Sequence, residues 1–427
     1  MLSVLLACAV GQAATTLDVS AEARQGAGLT PNSRIRDGVL QSGAGAQTFF
    51  GGIVGVERST RTQTLRLEFA PSATLRISET SEASQSFWQL GGGGSYSLRP
   101  SRRVEWTTTA RGARARMDVL TSDVDEGFVP VGAVVLNSTT LGGETRLVGL
   151  ASERTRWRVL ATADYSDFDA EGEDPAPVFD TLVAFGQADV RRALDRRWGV
   201  SLIGRVLGTA FVETEEDALP GQDSLTGSLV LGTDYALSRS WTVAAEGGVY
   251  LSRALSDLPD GSDRVSGVGP VARIEGQYDQ VDTPRARWSF TGAVGVDGEP
   301  DVQIGGFVPT FTAELRTGVT VDEVWAFGLR AFFATVLDPS RAQVATLTPG
   351  EGTPLLALQT RFGGALEASR LLGDHWRLLA TVEGSTSRPQ LFLDDSVEGS
   401  RDFSQSGVIG SLGVRFTWAS GRGPRGT

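Results

Sequence analysis

Apolar and polar positions alternate along most of this chain with a period of two. In "WTVAAEGGVYL" (241–251), Trp241, Val243, Ala245, Gly247, Val249 and Leu251 share one face, opposite Thr242, Glu246 and Tyr250. "WRLLATVEGS" (376–385) and "RWRVLATADYS" (156–166) divide in the same way. Successive side chains of a strand point to opposite faces, so these runs predict β-strands with one apolar and one polar face. Charges sit inside the runs and keep to the polar face, as Glu314 and Arg316 do in "FTAELRTG" (311–318). Helix-period windows are hard to find.

Tryptophan marks an internal repeat. Trp106, Trp157, Trp198, Trp241, Trp288, Trp325, Trp376 and Trp418 recur at intervals of 37 to 51 residues. All but Trp418 follow a short polar turn ("RPSRR", "SERTR", "LDRR", "LSRS", "DTPRAR", "VDE", "LGDH") and open a strand; Trp418 ends one. A pattern of up-strand, long loop, down-strand and short turn puts all eight at one height, as an interfacial girdle requires. A soluble β-sandwich also alternates. However, strands of roughly 10 to 15 residues, alternating turn lengths and aromatics at strand ends fit a bilayer-spanning barrel better. In that fold the apolar face meets lipid and the polar face meets water, and closure follows because an open edge in lipid leaves backbone groups unpaired.

The expected fold is therefore all-β: a transmembrane antiparallel up-and-down β-barrel with short periplasmic turns and long extracellular loops. From residue 103 onward the alternation predicts fourteen strands, with 103–112 and 140–152 flanking a long loop at 113–139. Its apolar half, "FVPVGAVVL", suits a loop folded inward as a constriction. Across 15–98, the segments 15–24, 48–57, 62–70, 72–78 and 86–98 compete, with a tight turn expected at Ala70-Pro71-Ser72. An even number of crossings there gives four strands, hence about 18 in all (16–20).

Composition adds compartment and excludes partners. The net charge of −12 speaks against nucleic acid. Residues 1–13 read as a signal peptide: Leu2 to Val10 are mostly apolar, and Gly11-Gln12-Ala13 is a small-x-small cleavage pattern. The lone cysteine, Cys8, is either removed with it or lipidated in a box formed with Leu5-Leu6-Ala7. The expected division is a signal peptide over 1–13, an N-terminal segment or first strand over 14–46, the barrel over 47–418 and a periplasmic tail over 419–427. The short turns are Arg-rich. The loops are acidic at 167–177, 213–223, 256–263 and 394–402. Solvation explains that acidity; collecting divalent cations on carboxylate oxygens is the sharper alternative, although no spacing resembles an EF-hand loop.

The last strand carries a recognisable motif. Ser411, Gly413, Phe416 and Trp418 in "SLGVRFTW" follow polar-x-Gly-x-x-hydrophobic-x-aromatic, which resembles the β-signal of Gram-negative outer-membrane barrel proteins. The resemblance implies the outer membrane as location, and its lipids and the barrel assembly machinery as partners. "ASGRGPRGT" follows the motif here, whereas the family often ends on the aromatic.

A barrel of this size leaves an aqueous lumen. The charged residues expected to line it are Arg158, Arg205, Glu246, Arg273, Glu275, Glu314, Arg316, Arg330, Arg361, Glu367, Arg377, Glu383 and Arg415. No catalytic, cofactor-binding or metal-binding residues are expected. The single histidine, His375, belongs to a turn beside Trp376, and the glycine run Gly91–Gly94 lacks the Lys and Ser/Thr of a phosphate loop. With strands beginning by residue 15 or 48, this chain has no room for the plug of an energised receptor. The overall plan resembles the outer-membrane barrels of exopolysaccharide secretion, implying an export conduit for surface polysaccharide with a periplasmic export factor as partner. A general diffusion porin and a non-conducting structural or adhesin barrel are the alternatives.

Overall fold

A computed structural model of the chain describes residues 14–36, 39–78, 85–123, 129–171, 180–212, 223–255, 266–280, 285–301, 306–337, 355–392 and 405–419. The first six strands are β1 (Ala14–Arg36), β2 (Val39–Ser59), β3 (Gln63–Ser78), β4 (Gln85–Ser101), β5 (Val104–Asp123) and β6 (Val129–Leu150). The next six are β7 (Thr155–Glu171), β8 (Asp180–Ala193), β9 (Trp198–Val212), β10 (Ser224–Ala236), β11 (Trp241–Ala254) and β12 (Ser266–Asp279). The last six are β13 (Ala286–Asp301), β14 (Gly306–Val321), β15 (Trp325–Val336), β16 (Leu355–Leu371), β17 (Trp376–Phe392) and β18 (Gln405–Ala419). Each strand pairs antiparallel with its sequence neighbours, and β1 also pairs with β18, closing an 18-stranded barrel.

The barrel starts earlier than its strongest alternation. Residues 14–36 form β1, which pairs on one side with β2 and on the other with β18, from Asp18↔Ala419 to Leu29↔Val408. The expected turn at Ala70-Pro71-Ser72 is not one: β3 runs through it, with Pro71 opposite Leu90 of β4. On its other side the ladder to β2 skips from Gly51↔Ser72 to Val54↔Phe69. Proline has no N–H to donate, so the strand tolerates it by interrupting one ladder instead of turning.

The expected loop at 113–139 is also corrected. Residues 113–123 extend β5 and 129–139 extend β6, paired from Ala113↔Thr140 to Asp123↔Val129 with one bulge. "MDVL" and "VGAVVL" are β-rich runs that pair with each other beyond the body of the barrel, so no inward loop exists there among the described residues. The acidic stretches 172–177, 213–222, 256–263 and 394–402, the segment 1–13 with Cys8 and the tail 420–427 lie outside the described residues.

The short turns explain their own geometry. In the turn at 194–197, the Asp195 carboxylate accepts hydrogen bonds from the N–H groups of Arg197 (2.6 Å) and Trp198 (2.7 Å). Those two bonds hold its pKa below the ordinary carboxylate value of 3.8. A depressed folded pKa gives stability that is present above the unfolded value and lost as pH falls through the folded one. Asp195→Ala is therefore expected to lower the denaturant midpoint of the refolded barrel at pH 7. The gap from the parent should shrink as pH drops below 3.8, measured by the heat-modifiable shift in gel mobility. The turn from β14 to β15 places Asp322 and Glu323 at φ of 49° and 58°, closed by the Val324 N–H to the Val321 carbonyl at 3.1 Å. This is the two-residue hairpin geometry whose twist matches the flanking strands.

Candidate functional site: the lumen wall

Side-chain direction follows from register. Leu229, Leu231, Leu251, Val268 and Leu412 are 57 to 67 % exposed, and each stands on the outer face of its strand. Together with Val206, Ile274, Val294, Leu366 and Val382 they form an apolar belt around the cylinder. Such a belt is costly in water and suited to hydrocarbon. Trp106, Trp157, Trp198, Trp241, Trp288, Trp325, Trp376 and Trp418 lie on this outer face, at the end of the barrel carrying the short turns. Trp241 packs on Tyr278 at 4.9 Å, Trp376 on Phe416 at 5.0 Å, and the Arg370 guanidinium lies over Trp325 at 4.9 Å. His375 sits in the same ring, its Nδ1 3.0 Å from the Thr417 carbonyl oxygen.

The chain is a transmembrane β-barrel of the outer-membrane type. No family model matches the sequence, and no curated protein does. Among solved structures it is similar to the siderophore receptor PiuA of Acinetobacter baumannii, at 10 % identity over 93 % of this chain and 82 % of that one, with TM-score 0.48. It is also similar to the copper transporter OprC (12 %, 96 % and 81 %, TM-score 0.49) and to OccK7 (OpdD) of Pseudomonas aeruginosa (10 %, 95 % and 99 %, TM-score 0.45). At such identities no functional residue carries over; the barrel rests on its own strand pairing and outer belt.

The opposite face is polar and closes around the interior. By register it carries Arg158, Arg205, Glu246, Arg273, Glu275, Glu314, Arg316, Arg330, Arg361, Glu367, Arg377, Glu383 and Arg415. Several are stitched into ion pairs. Arg158 Nε donates to Asp189 Oδ1 at 2.6 Å, its direct cross-strand partner. Arg205 Nη2 lies 3.6 Å from Glu246 Oε2, and Arg273 Nη2 lies 3.3 Å from Glu275 Oε2. Arg415 and Arg24 both donate to Glu22, across the joint between the last strand and the first.

Other pairs leap a strand. Arg111 on β5 grips Asp164 on β7 through Nη2, at 2.6 and 2.7 Å to the two carboxylate oxygens. The strand between them offers Gly142, where a Cβ would stand 2.0 Å from Asp164 Oδ1. Glycine is required there because the ion pair fills the space a side chain would need. Gly413 in the β-signal has a similar reason. An added Cβ would meet the Ala23 carbonyl oxygen at 2.5 Å and Arg24 Cγ at 2.6 Å, so it makes room for the Glu22–Arg24–Arg415 cluster. Glu22, Arg24, Glu68, Gln89, Arg111, Thr140 and Arg415 surround a recess of about 730 Å³, with Gly91 and Gly93 as part of its floor.

One stretch of wall departs from this pairing. Arg316 and Arg330 stand directly opposite each other in register, and so do Arg377 and Arg415. Like charges directly opposite one another destabilise a sheet. Among the described residues Arg330 has no ion-pair partner, and it is exposed toward the interior. The wall from β14 to β18 thus presents a cationic stripe to the lumen, interrupted by Glu314, Glu367 and Glu383.

The sequence reading named these arginines but missed the carboxylates that answer them, Glu22, Asp164, Asp189, Asp234 and Asp297. Offset parity would have found several. In the odd strands from β5 to β17, a residue an odd number of positions from the opening tryptophan faces inward, which places Arg111, Asp164 and Asp297 inside.

The interior is also narrowed from one side. The β12–β13 ladder ends at Ala272↔Val296 and the β14–β15 ladder at Thr310↔Val336. Beyond these points β13 and β14 pair only with each other, to Asp301↔Gly306, as a two-stranded ribbon. Its β14 arm comes into contact with β11 and β12, which are not its sheet neighbours. At its base Asp297 Oδ2 lies 3.9 Å from Arg205 Nη1 of β9. Such a contact spans the interior of a curved wall only if the ribbon leans inward. Thr310 is buried, and so are Ile203, Val230, Tyr250 and Val271 on the lumen faces of β9–β12.

Proposed function

We propose that the chain is a diffusion channel of a Gram-negative outer membrane, passing small hydrophilic solutes through a lumen narrowed by the β13–β14 ribbon. The observation that carries this reading is the arrangement of the walls: a closed cylinder, apolar outside, with charged side chains facing each other inside. Water-exposed ion pairs of this sort contribute little to stability, so their concentration in the lumen favours a role in selecting what passes. The unpaired Arg330 within the cationic stripe favours anions. No enzymatic step is assigned to the interior, whose one nearby imidazole, His375, is engaged in the turn-side ring.

Export of a surface polysaccharide is the weaker reading. A ribbon tethered to the opposite wall by Arg205–Asp297 suits small solutes better than a hydrated polymer, and no motif in the chain points to an export factor. The partners this function calls for are membrane lipids and the assembly machinery that reads the β18 motif.

The test is a planar-bilayer recording on the refolded chain. Stepwise, ohmic conductance is expected; a barrel that inserts but passes no current overturns the reading. Asp297→Arg places like charges where the tether was, at a separation where two charges interact by about 1–4 kcal/mol. Unit conductance should rise about twofold as the ribbon withdraws.

A further inference from the structure

The break between β12 and β13 has a chemistry of its own. Both strands continue past the last paired residues, β12 to Ser266 and β13 to Asp301, yet they do not pair with each other there. Each remains held by its other neighbour, β12 through Arg253↔Ser266 and β13 through Asp301↔Gly306. The wall therefore divides over its loop-side portion.

The sequence supplies the cause. Continuing the register from Ala272↔Val296 would set Pro270 opposite Gly298 and Val268 opposite Pro300. Proline on both edges removes donors that a ladder would need, and Pro309 does the same on the outer arm of the ribbon. Parted strand edges within a membrane leave backbone groups without ladder partners, which hydrocarbon does not satisfy.

What lies on the two sides of the break decides its use. Outside, Val268 is 61 % exposed beside Pro270, both facing lipid. Inside, directly behind, lies the apolar cluster of Val271, Tyr250, Val230 and Ile203, on a lumen wall otherwise lined with charged and hydroxyl side chains. A shorter lapse of pairing occurs between β4 and β5 beyond Gln89↔Ala115, but the buried apolar cluster is not behind it. The β12–β13 break joins hydrocarbon outside to an apolar patch inside, with backbone polar groups along its edges.

We propose that the break is a lateral portal that admits the hydrocarbon tail of a membrane amphiphile to the apolar patch, its polar head meeting the strand edges. The portal goes beyond the channel reading; it requires that the barrel span lipid, not that it conduct.

The test uses the refolded full chain in phospholipid vesicles containing alkyne-tagged palmitic acid. A benzophenone amino acid is placed at Arg273, on the lumen face just below the break, and separately at Glu383, on the lumen face of β17. Labelling from position 273 should exceed that from 383 about tenfold, since hydrocarbon has no other reason to enter a polar lumen. Pro270→Cys with Gly298→Cys, oxidised, should bring labelling at 273 down to the level at 383, with recovery on reduction. Equal labelling at the two positions, or labelling indifferent to the closed disulfide, overturns the proposal. If the cysteines fail to join, Pro270→Thr with Pro300→Thr restores the missing donors and should depress labelling at 273; no change overturns it equally. Conductance is recorded in parallel, so a silent barrel that still labels refutes the channel and leaves the portal standing.

Discussion

Arg330→Glu should shift the anion-over-cation permeability ratio of the reconstituted barrel about tenfold toward cations, read as a change in reversal potential across a salt gradient. The expectation rests on three features of this side chain. It faces the interior, it opposes Arg316 in register, and it has no ion-pair partner among the described residues. Charges already paired, such as Arg158 with Asp189, contribute a local dipole whose field decays quickly. An isolated cation in a lumen with low-dielectric walls projects further, and reversing it changes the local charge by two units. The same exchange at Arg158 should move the reversal potential much less. Raising salt toward 1 M should compress both effects, because the screening length falls to about 3 Å. If Arg330→Glu leaves selectivity unaltered, the cationic stripe does not lie in the conducting path.

Glu22→Ala should weaken closure of the barrel more than any other interior carboxylate removal. Glu22 is the least exposed acid in the recorded ion pairs, at 10 % side-chain exposure, and it holds Arg24 of its own strand and Arg415 of the last one. Removing it leaves two guanidiniums facing each other at the joint between β1 and β18. Breaking a buried pair costs about 3–5 kcal/mol, and the partial exposure of both arginines brings the expected loss to about 2 kcal/mol. The measurement is the urea midpoint for refolding into vesicles. Glu22→Gln should recover part of the loss, because the amide oxygen still accepts one hydrogen bond. Asp189→Ala, which frees an arginine within the wall and not at the joint, should fall short of it.

The two predictions differ in how far they could be read from the chain itself. Arg330 was visible as a charge on the polar face of an alternating strand. Glu22 was not, because its importance comes from β1 meeting β18 nearly 400 residues away. Residues 15–98 were hard to divide for a related reason: Pro71 reads locally as a turn, yet strand pairing with β4 carries the chain straight through it. The 113–139 segment misled in the opposite way. Its apolar half looked like a loop seeking a partner, and the partner proved to be the other half of the same hairpin.

The sequence by itself determined that this is a β-barrel, which side of each strand meets lipid, and which end carries the aromatic ring. Those properties follow from side-chain alternation and turn chemistry, which are local and leave a period in the text of the chain. Only the tertiary structure decided which charges neutralise one another, where glycine must yield to an ion pair, and that β13 and β14 leave the wall to lean across the lumen. Those depend on which strands become neighbours and how far each ladder runs. Such pairings join residues far apart in sequence and are fixed only when the cylinder closes.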